Sequence, residues 1–212
     1  THGDRFPGVP GHKTFTSHYH IEHTTRLIKA RDKSGKPGVP PALKKPDFVD
    51  VFKKAGIQIV HLAEFHNRPG RLRRDPVKAL PLLKTWHEEC ARLSGDGFLL
   101  LPGEEPNVHL GGHWISFFPR PVMWVLNRSK DKPFTEEHPR FGRVYHVGSP
   151  EDILKLMERE GGLMWAAHPR IKSSTGYPDR YRDKPFFKSD RYLGGAWKAM
   201  PADLSKPRLG LA

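Results

Sequence analysis

The chain has 212 residues and a formal net charge of +13, with 36 Lys and Arg against 23 Asp and Glu. Apolar residues make up 36% and charged residues 28%, which excludes a disordered or collagen-like chain and allows a buried core. No apolar run approaches the roughly 18 to 20 residues of a membrane span, and the single cysteine, Cys90, excludes a scaffold held by internal disulfides.

Histidine is unusually frequent, with 13 residues, and 20 Gly and 21 Pro indicate a scaffold rich in loops. Imidazole is a common metal ligand and proton carrier, so we expect the loops to carry the function. The positive charge predicts attraction to partners that bear phosphate. It is spread along the chain without a long run of adjacent Lys and Arg, which argues against a tail that binds nucleic acid.

The first half of the chain predicts a strand, a loop, a helix and a second strand. Residues 14–20 (TFTSHYH) alternate β-branched or aromatic residues with polar ones, which is typical of a strand. Residues 31–46 are rich in Gly, Pro and Lys and predict a loop. Asp47 is the predicted N-cap of a helix that ends at Gly56, and residues 57–64 (IQIVHLAE) predict a strand.

Helices and apolar strands continue to alternate in the second half. Residues 76–93 predict a helix that Pro81 either kinks or starts, and residues 98–105 (FLLLPGEE) predict a buried strand. Residues 113–118 and 122–126 predict a hairpin or two sequential strands. The clearest helix follows the predicted cap Ser149 and ends at Gly161, and another buried strand, LMWAA, follows it.

This order of elements predicts an α/β fold with a largely parallel sheet, either a barrel or an open sheet. We expect one domain in three parts: an irregular lead-in over 1–13, an α/β part over 14–171, and a loop-rich part over 172–212.

Histidines and glutamates fall at the ends of four predicted strands. The four ends are His18-Tyr19-His20, Glu64-Phe65-His66, Pro102-Gly103-Glu104-Glu105 and His168-Pro169. The carboxyl ends of parallel strands meet on one face, so we expect these side chains to converge. In an extended segment the H-x-H spacing points both imidazoles to the same side, which suits two ligands of one metal ion. Separately, each has an ordinary structural interpretation as a packed or capping residue.

These motifs resemble the PHP (polymerase and histidinol phosphatase) domain family. The resemblance runs from about Phe15 to Pro169 and covers the opening H-x-H, the apolar strand that runs into His66, the P-G-x-E motif and GGLMWAAHP. It implies a distorted (β/α)7 TIM-like barrel and a metal-dependent phosphoesterase. It also implies a metal-ligand set, namely His18, His20, His66, Glu105, His113 and His168. Four of these carry the implied catalytic role: His18, His20, Glu105 and His168.

The resemblance implies two or three divalent ions, with Zn²⁺, Mn²⁺ and Fe²⁺ all suited to such nitrogen and oxygen ligands. His18, His20 and Glu105 would hold one ion, and Glu105, His113 and His168 a second. Water activated by the ions would then attack a phosphorus centre. His109 competes with His113 for its role, and His113 is preferred because the family pattern opens a strand there.

Two departures from the family pattern stand out. Glu64-Phe65-His66 replaces the family's T-D-H, and no histidine follows His168, so the closing D-x-H pair is absent. Either the chain stops before this pair or the site is degraded, and of the two we expect a barrel that is incomplete through truncation at its C-terminus.

Arginines follow two of the implied ligands. Arg68 and Arg71 come shortly after His66, and Arg170 follows His168-Pro169. Guanidinium groups bind phosphate in a bidentate manner, so these residues are the predicted substrate contacts, with a solvated basic loop as the alternative.

The leading hypothesis is a metal-dependent hydrolase that cleaves a phosphoester in a phosphorylated small molecule. The first alternative is a non-catalytic PHP-like module that binds an anionic or phosphorylated partner. The second is a PHP-type nuclease, which the net charge of +13 favours. The sequence leaves the compartment open, with a soluble cytoplasmic protein as one compatible assignment.

Overall fold

The computed structural model describes residues 8–63, 75–169 and 179–196. The chain divides into two compact units. The first comprises residues 1–64 and 81–102, and the second comprises residues 65–80 and 103–212.

The first unit combines short strands with helices. Its elements are β1 (Phe15–Tyr19), α1 (His23–Ser34), α2 (Pro41–Lys44), α3 (Asp47–Lys54), β2 (Ile59–Ala63), most of α4 (Pro76–Leu93) and the start of β3 (Leu99–Glu104). β1 runs parallel to β2, with Phe15 opposite Ile59. The Leu99 backbone N–H donates to the Gln58 carbonyl at 2.8 Å, so β3 begins beside the segment that leads into β2.

The second unit contains most of the remaining strands. Its elements are the end of β3, β4 (Trp114–Phe117), β5 (Met123–Val125), β6 (Thr135–His138), β7 (Gly142–His146), α5 (Pro150–Glu160), β8 (Leu163–Ala167), a 3₁₀ turn (Asp179–Tyr181), α6 (Pro185–Lys188) and β9 (Tyr192–Ala196). Hydrogen-bonded neighbours follow the order β3, β4, β8 and β9 in one sheet and β5, β7 and β6 in another. Two apolar clusters are buried here, one around Val125 and Val144 and one around Ile115 and Trp165.

The predicted (β/α)7 TIM-like barrel is wrong. In such a barrel every strand is parallel to its neighbours and is followed by a helix. Here β4 is antiparallel to both β3 and β8, and β5, β6 and β7 form a separate sheet. Buried strands of a mixed sheet have the same apolar runs as those of a parallel sheet, which is why the pattern pointed to a barrel.

Several boundaries also differ from the prediction. The loop predicted over 31–46 contains the end of α1 and all of α2, because α1 continues to Ser34 before Gly35 ends it with φ +65°. Asp47 is the first residue of α3 and not its cap. Pro81 lies inside α4. The strands β4 and β5 do not form a hairpin, since they belong to different sheets.

The helix that local signals predicted best is α5. The Ser149 side chain accepts a hydrogen bond from the Asp152 N–H, Pro150 occupies the first turn, and Gly161 ends the helix with φ +65°. Its buried face contains Ile153 and Leu156, which lie on one side of the helix.

Among the residues that the structure describes, no helix has the length and apolarity needed to traverse a bilayer.

Candidate functional site

The buried carboxylate of Glu105 is the centre of a group of polar side chains in the second unit. Glu105 directly follows β3 and is 3% exposed. Its neighbour Glu104, also 3% exposed, lies opposite Ser116 in the β3–β4 register. Burying a carboxylate is costly unless it is paired, so the surroundings of Glu105 must supply donors or cations.

Two imidazoles meet the same oxygen of Glu105. The Nδ1 atom of His113 lies 3.0 Å from Glu105 Oε1, and the Nε2 atom of His168 lies 2.8 Å from it. The two rings have centroids 4.9 Å apart. His113, Glu105 and His168, here called the Glu105 group, therefore place two imidazole nitrogens within 3.0 Å of one carboxylate oxygen.

The direction of β4 explains this convergence. An antiparallel strand places its start beside the ends of its neighbours. Trp114 pairs with Ala166, and the Ala167 N–H donates to the His113 carbonyl at 2.9 Å. The residue before β4 is thereby placed beside the end of β8, where His168 follows, and at the edge where β3 delivers Glu105.

The loop between Glu105 and His113 is held to the start of β4. The Trp114 backbone N–H donates to the Pro106 carbonyl at 3.0 Å, and the Trp114 indole N–H donates to the Val108 carbonyl at 3.0 Å. Trp114 itself is fully buried. Because the core holds this tryptophan, both ends of the loop have fixed positions.

The backbone of His168 is unusual. Its φ of +31° lies outside the regions that residues with a Cβ normally adopt. Such conformations cost free energy and concentrate at functional sites. His18 and His109 also have positive φ, at +66° and +67°.

The Glu105 group fits a divalent metal ion by its donor chemistry. Imidazole nitrogen and carboxylate oxygen are ligands of Zn²⁺, Mn²⁺ and Fe²⁺. Atoms that bind one ion at about 2.0 to 2.2 Å lie roughly 3 Å from each other. The separations of 2.8 and 3.0 Å from Oε1 match that spacing.

The first unit holds the H-x-H pair of the sequence. The rings of His18 and His20 lie edge to face with centroids 4.8 Å apart. They meet at an irregularity in the β1–β2 register between Thr16 and Tyr19, where His18 takes φ +66°. The Nδ1 atom of His20 lies 2.7 Å from the Ala63 carbonyl.

His61 supports this pair from β2. It is fully buried, and its Nδ1 atom accepts a hydrogen bond of 3.4 Å from the His18 backbone N–H. No local sequence signal revealed this contact between His61 and His18.

Four predicted site residues lie outside the described residues. They are His66, Arg68, Arg71 and Arg170.

The sequence analysis did not predict a buried polar network that lies in the first unit. His23 Nε2 lies 2.8 Å from Glu89 Oε2, and Arg92 donates to both carboxylate oxygens of Glu89 at 2.9 and 2.6 Å. Burial opposes ionisation of Glu89, but the hydrogen bonds from His23 and Arg92 outweigh it and lower its pKa to about 2. Arg92 also donates to the Lys44 carbonyl at 2.8 Å, so the network ties α2 to α4.

A second missed histidine lies in the second unit. His146 is 1% exposed, with Nδ1 2.7 Å from Asn127 Oδ1 and Nε2 3.0 Å from Glu136 Oε2. Burial, aided by the charge of Lys132, lowers its pKa despite the contact with Glu136. Partners 19 and 10 residues away in sequence gave no signal that periodicity or motif could detect.

Comparison with protein-family models, with curated proteins and with solved structures finds no match of the chain to any of them. The likeness to the PHP family therefore rests on the motifs quoted above.

Proposed function

We propose that the chain is a metal-dependent hydrolase that cleaves a phosphoester with metal-activated water. The observation that carries the proposal is the single oxygen of the buried Glu105 carboxylate with an imidazole nitrogen from His113 and another from His168 within 3.0 Å. The motifs that resemble the PHP family add support, because they assign the same three residues to one ion.

The ion would be held by Glu105 Oε1, His113 Nδ1 and His168 Nε2. When bound, it supplies a Lewis acid that lowers the pKa of water and neutralises charge on phosphoryl oxygens. Both imidazole nitrogens are within hydrogen-bond distance of Glu105 Oε1, and a nitrogen acts as a metal ligand only in its deprotonated form.

Burial also lets Glu105 orient the two imidazole rings. Because the carboxylate is only 3% exposed, water competes little for its hydrogen bonds, and both rings are held in position before an ion binds. Such pre-organisation reduces the cost of assembling the ligand set.

The test is to measure metal content and hydrolysis together on the purified chain. We expect bound Zn²⁺, Mn²⁺ or Fe²⁺ by elemental analysis, release of phosphate from a small phosphomonoester, and loss of both after chelation. Glu105→Gln and His168→Ala should lose metal and activity. Glu158→Gln, which changes an exposed carboxylate on α5, is the matched control and should retain both.

The two alternative functions give different results in the same assay. A non-catalytic module would bind phosphate-bearing ligands with little metal and no turnover, and its affinity would fall steeply with salt. A nuclease would cleave a short oligonucleotide in preference to the phosphomonoester. Full hydrolysis by Glu105→Gln, with its metal content unchanged, would refute the proposed mechanism.

A further inference from the structure

A cleft lies in the second unit, between the start of α5 and the segment that leads into α6. Its apolar lining comes from four side chains: Pro150, Leu154, Pro185 and Phe186. None of these residues belongs to the Glu105 group. Small-molecule sites are concave and largely apolar, with a few polar groups that set orientation.

The apolar wall of the cleft is firmly built. Phe186 is 2% exposed, and its ring packs against those of Tyr181 and Tyr192, with centroids 6.1 and 5.7 Å away. Aromatic pairs at these separations are mutually favourable. The ring of Phe186 is thus held in place before a ligand enters.

Polar groups at the cleft come from three segments. Lys184 and Tyr181 belong to one turn, in which the Lys184 backbone N–H donates to the Tyr181 carbonyl at 2.9 Å. Glu151 lies at the start of α5, and His109 lies on the loop between Glu105 and His113. The Lys184 side chain is exposed, so its ammonium group can meet an anion at the mouth of the cleft.

His109 reaches the cleft with a φ of +67°, a conformation that a histidine rarely adopts. Two residues later, Gly111 has φ +89° and packs its backbone directly against the Tyr181 ring. The loop and the Tyr181 turn are therefore fitted to one another. Strained residues persist where the surroundings determine them in this way, often at ligand sites.

We infer that this cleft binds a compact aromatic anion, with the ring against Pro150, Leu154 and Pro185 and the anionic group at Lys184. The leucine and proline lining selects a flat apolar body, and the ammonium group selects the charge. Glu151 opposes the anion and limits its affinity. The inference goes beyond the proposed function, because it requires neither a metal ion nor turnover.

The experiment is a ligand-observed NMR titration of the full chain in the presence of EDTA. Phenyl phosphate is the probe, and inorganic phosphate and phenol supply the anion and the ring separately. We expect phenyl phosphate to bind about tenfold more tightly than either. Lys184→Gln should weaken its binding about fivefold, which corresponds to a partly exposed ion pair.

Two further variants sharpen the test. Glu151→Gln should tighten the binding of phenyl phosphate, because it removes a negative charge from the cleft. Lys188→Gln removes another exposed lysine, at the end of α6, and should change nothing. All three substitutions are at exposed positions, so the variants should fold.

The inference is overturned if phenyl phosphate fails to bind, or if inorganic phosphate binds as tightly. It is also overturned if Lys184→Gln and Lys188→Gln weaken binding equally, which indicates attraction to net charge alone. Binding that Glu105→Gln abolishes and Lys184→Gln leaves unchanged would place the probe at the Glu105 group and not in the cleft. That last result would leave the proposed function standing.

Discussion

The imidazole of His23 and the carboxylate of Glu89 form a buried pair, with Nε2 and Oε2 2.8 Å apart and side chains only 3% and 4% exposed. The pair joins the first turn of α1 to the last turns of α4. Arg92 completes it by donating to the same carboxylate. A buried carboxylate that loses a hydrogen-bond donor keeps a charge without full compensation, which is strongly destabilising.

Glu89→Gln should lower the free energy of unfolding by about 2 kcal/mol, because a charged hydrogen-bond acceptor becomes a neutral one. Urea denaturation at pH 7 measures the change. Glu88→Gln is the control: its carboxylate is 58% exposed and lies 3.9 Å from Lys84. Such exposed pairs contribute less than about 1 kcal/mol, so Glu88→Gln should be nearly neutral.

The same pair predicts a pH dependence. The pKa of Glu89 is lowered from 4.5 to about 2, so its contribution is fully present above pH 4.5 and is lost as the pH falls through the folded value near 2. The stability difference between the native chain and Glu89→Gln should therefore be constant from pH 7 to 5 and shrink below pH 4.5. A difference that stays constant down to pH 3 would contradict the assignment.

Gly111→Ala should be much more destabilising than an ordinary loop substitution. A Cβ at this position would overlap the Tyr181 ring, and the φ of +89° disfavours any L side chain. We expect a loss of about 2 to 4 kcal/mol, from backbone strain together with overpacking. Urea denaturation again provides the measurement.

Gly142→Ala separates the two causes. Gly142 has a φ of +66° but open space where a Cβ would lie. Gly142→Ala should therefore lower the free energy of unfolding by only about 1 kcal/mol, from backbone strain. If the ring contact accounts for the excess at Gly111, then Gly111→Ala combined with Tyr181→Ala should cost less than the two single changes added together. Equal losses for Gly111→Ala and Gly142→Ala would exclude the ring contact as a cause.

How far sequence reasoning reached depended on the range of the interactions. The helix from Pro150 to Glu160 was predictable because its cap, Pro150 and Gly161 act within a few residues. The direction of β4 was not, because a buried run such as WISF is equally compatible with parallel and antiparallel pairing. The barrel was wrong for that reason.

The Glu105 group shows how residues that the sequence grouped together can meet on a sheet other than the predicted one. The sequence placed Glu105 and His168 together because each follows a strand. His113 precedes its strand, and in a fully parallel sheet it would lie at the opposite edge. The antiparallel direction of β4 brings it to Glu105. No comparable rule predicted the contacts among His23, Glu89 and Arg92, because helix packing alone brings these residues together.

The Glu105 group predicts stabilisation by divalent metal. Zn²⁺ or Mn²⁺ at about 100 times its Kd should raise the free energy of unfolding by about 2.7 kcal/mol and the Tm by about 5 to 10 °C. Glu105→Gln should abolish this gain, and Glu158→Gln should retain it. Differential scanning calorimetry with and without metal provides the measurement, and equal gains in both variants would exclude the Glu105 group as the site.

The left-handed conformation of His18 predicts an inverted order of stability between two substitutions. At most positions a glycine variant is less stable than an alanine variant, because glycine gains more backbone freedom on unfolding. His18 has φ +66°, where a Cβ costs about 1 to 2 kcal/mol, so His18→Gly should be more stable than His18→Ala by about 1 kcal/mol. Both substitutions remove the imidazole and its contact with His20, so the comparison isolates the backbone.

His20 is the matched control, since it is not among the described non-glycine residues with positive φ, and there His20→Ala should be the more stable variant. The midpoints of urea denaturation of the four variants provide the measurement. If His18→Ala is as stable as His18→Gly, residue 18 has no left-handed strain, and the irregularity in β1 does not account for the meeting of the two rings.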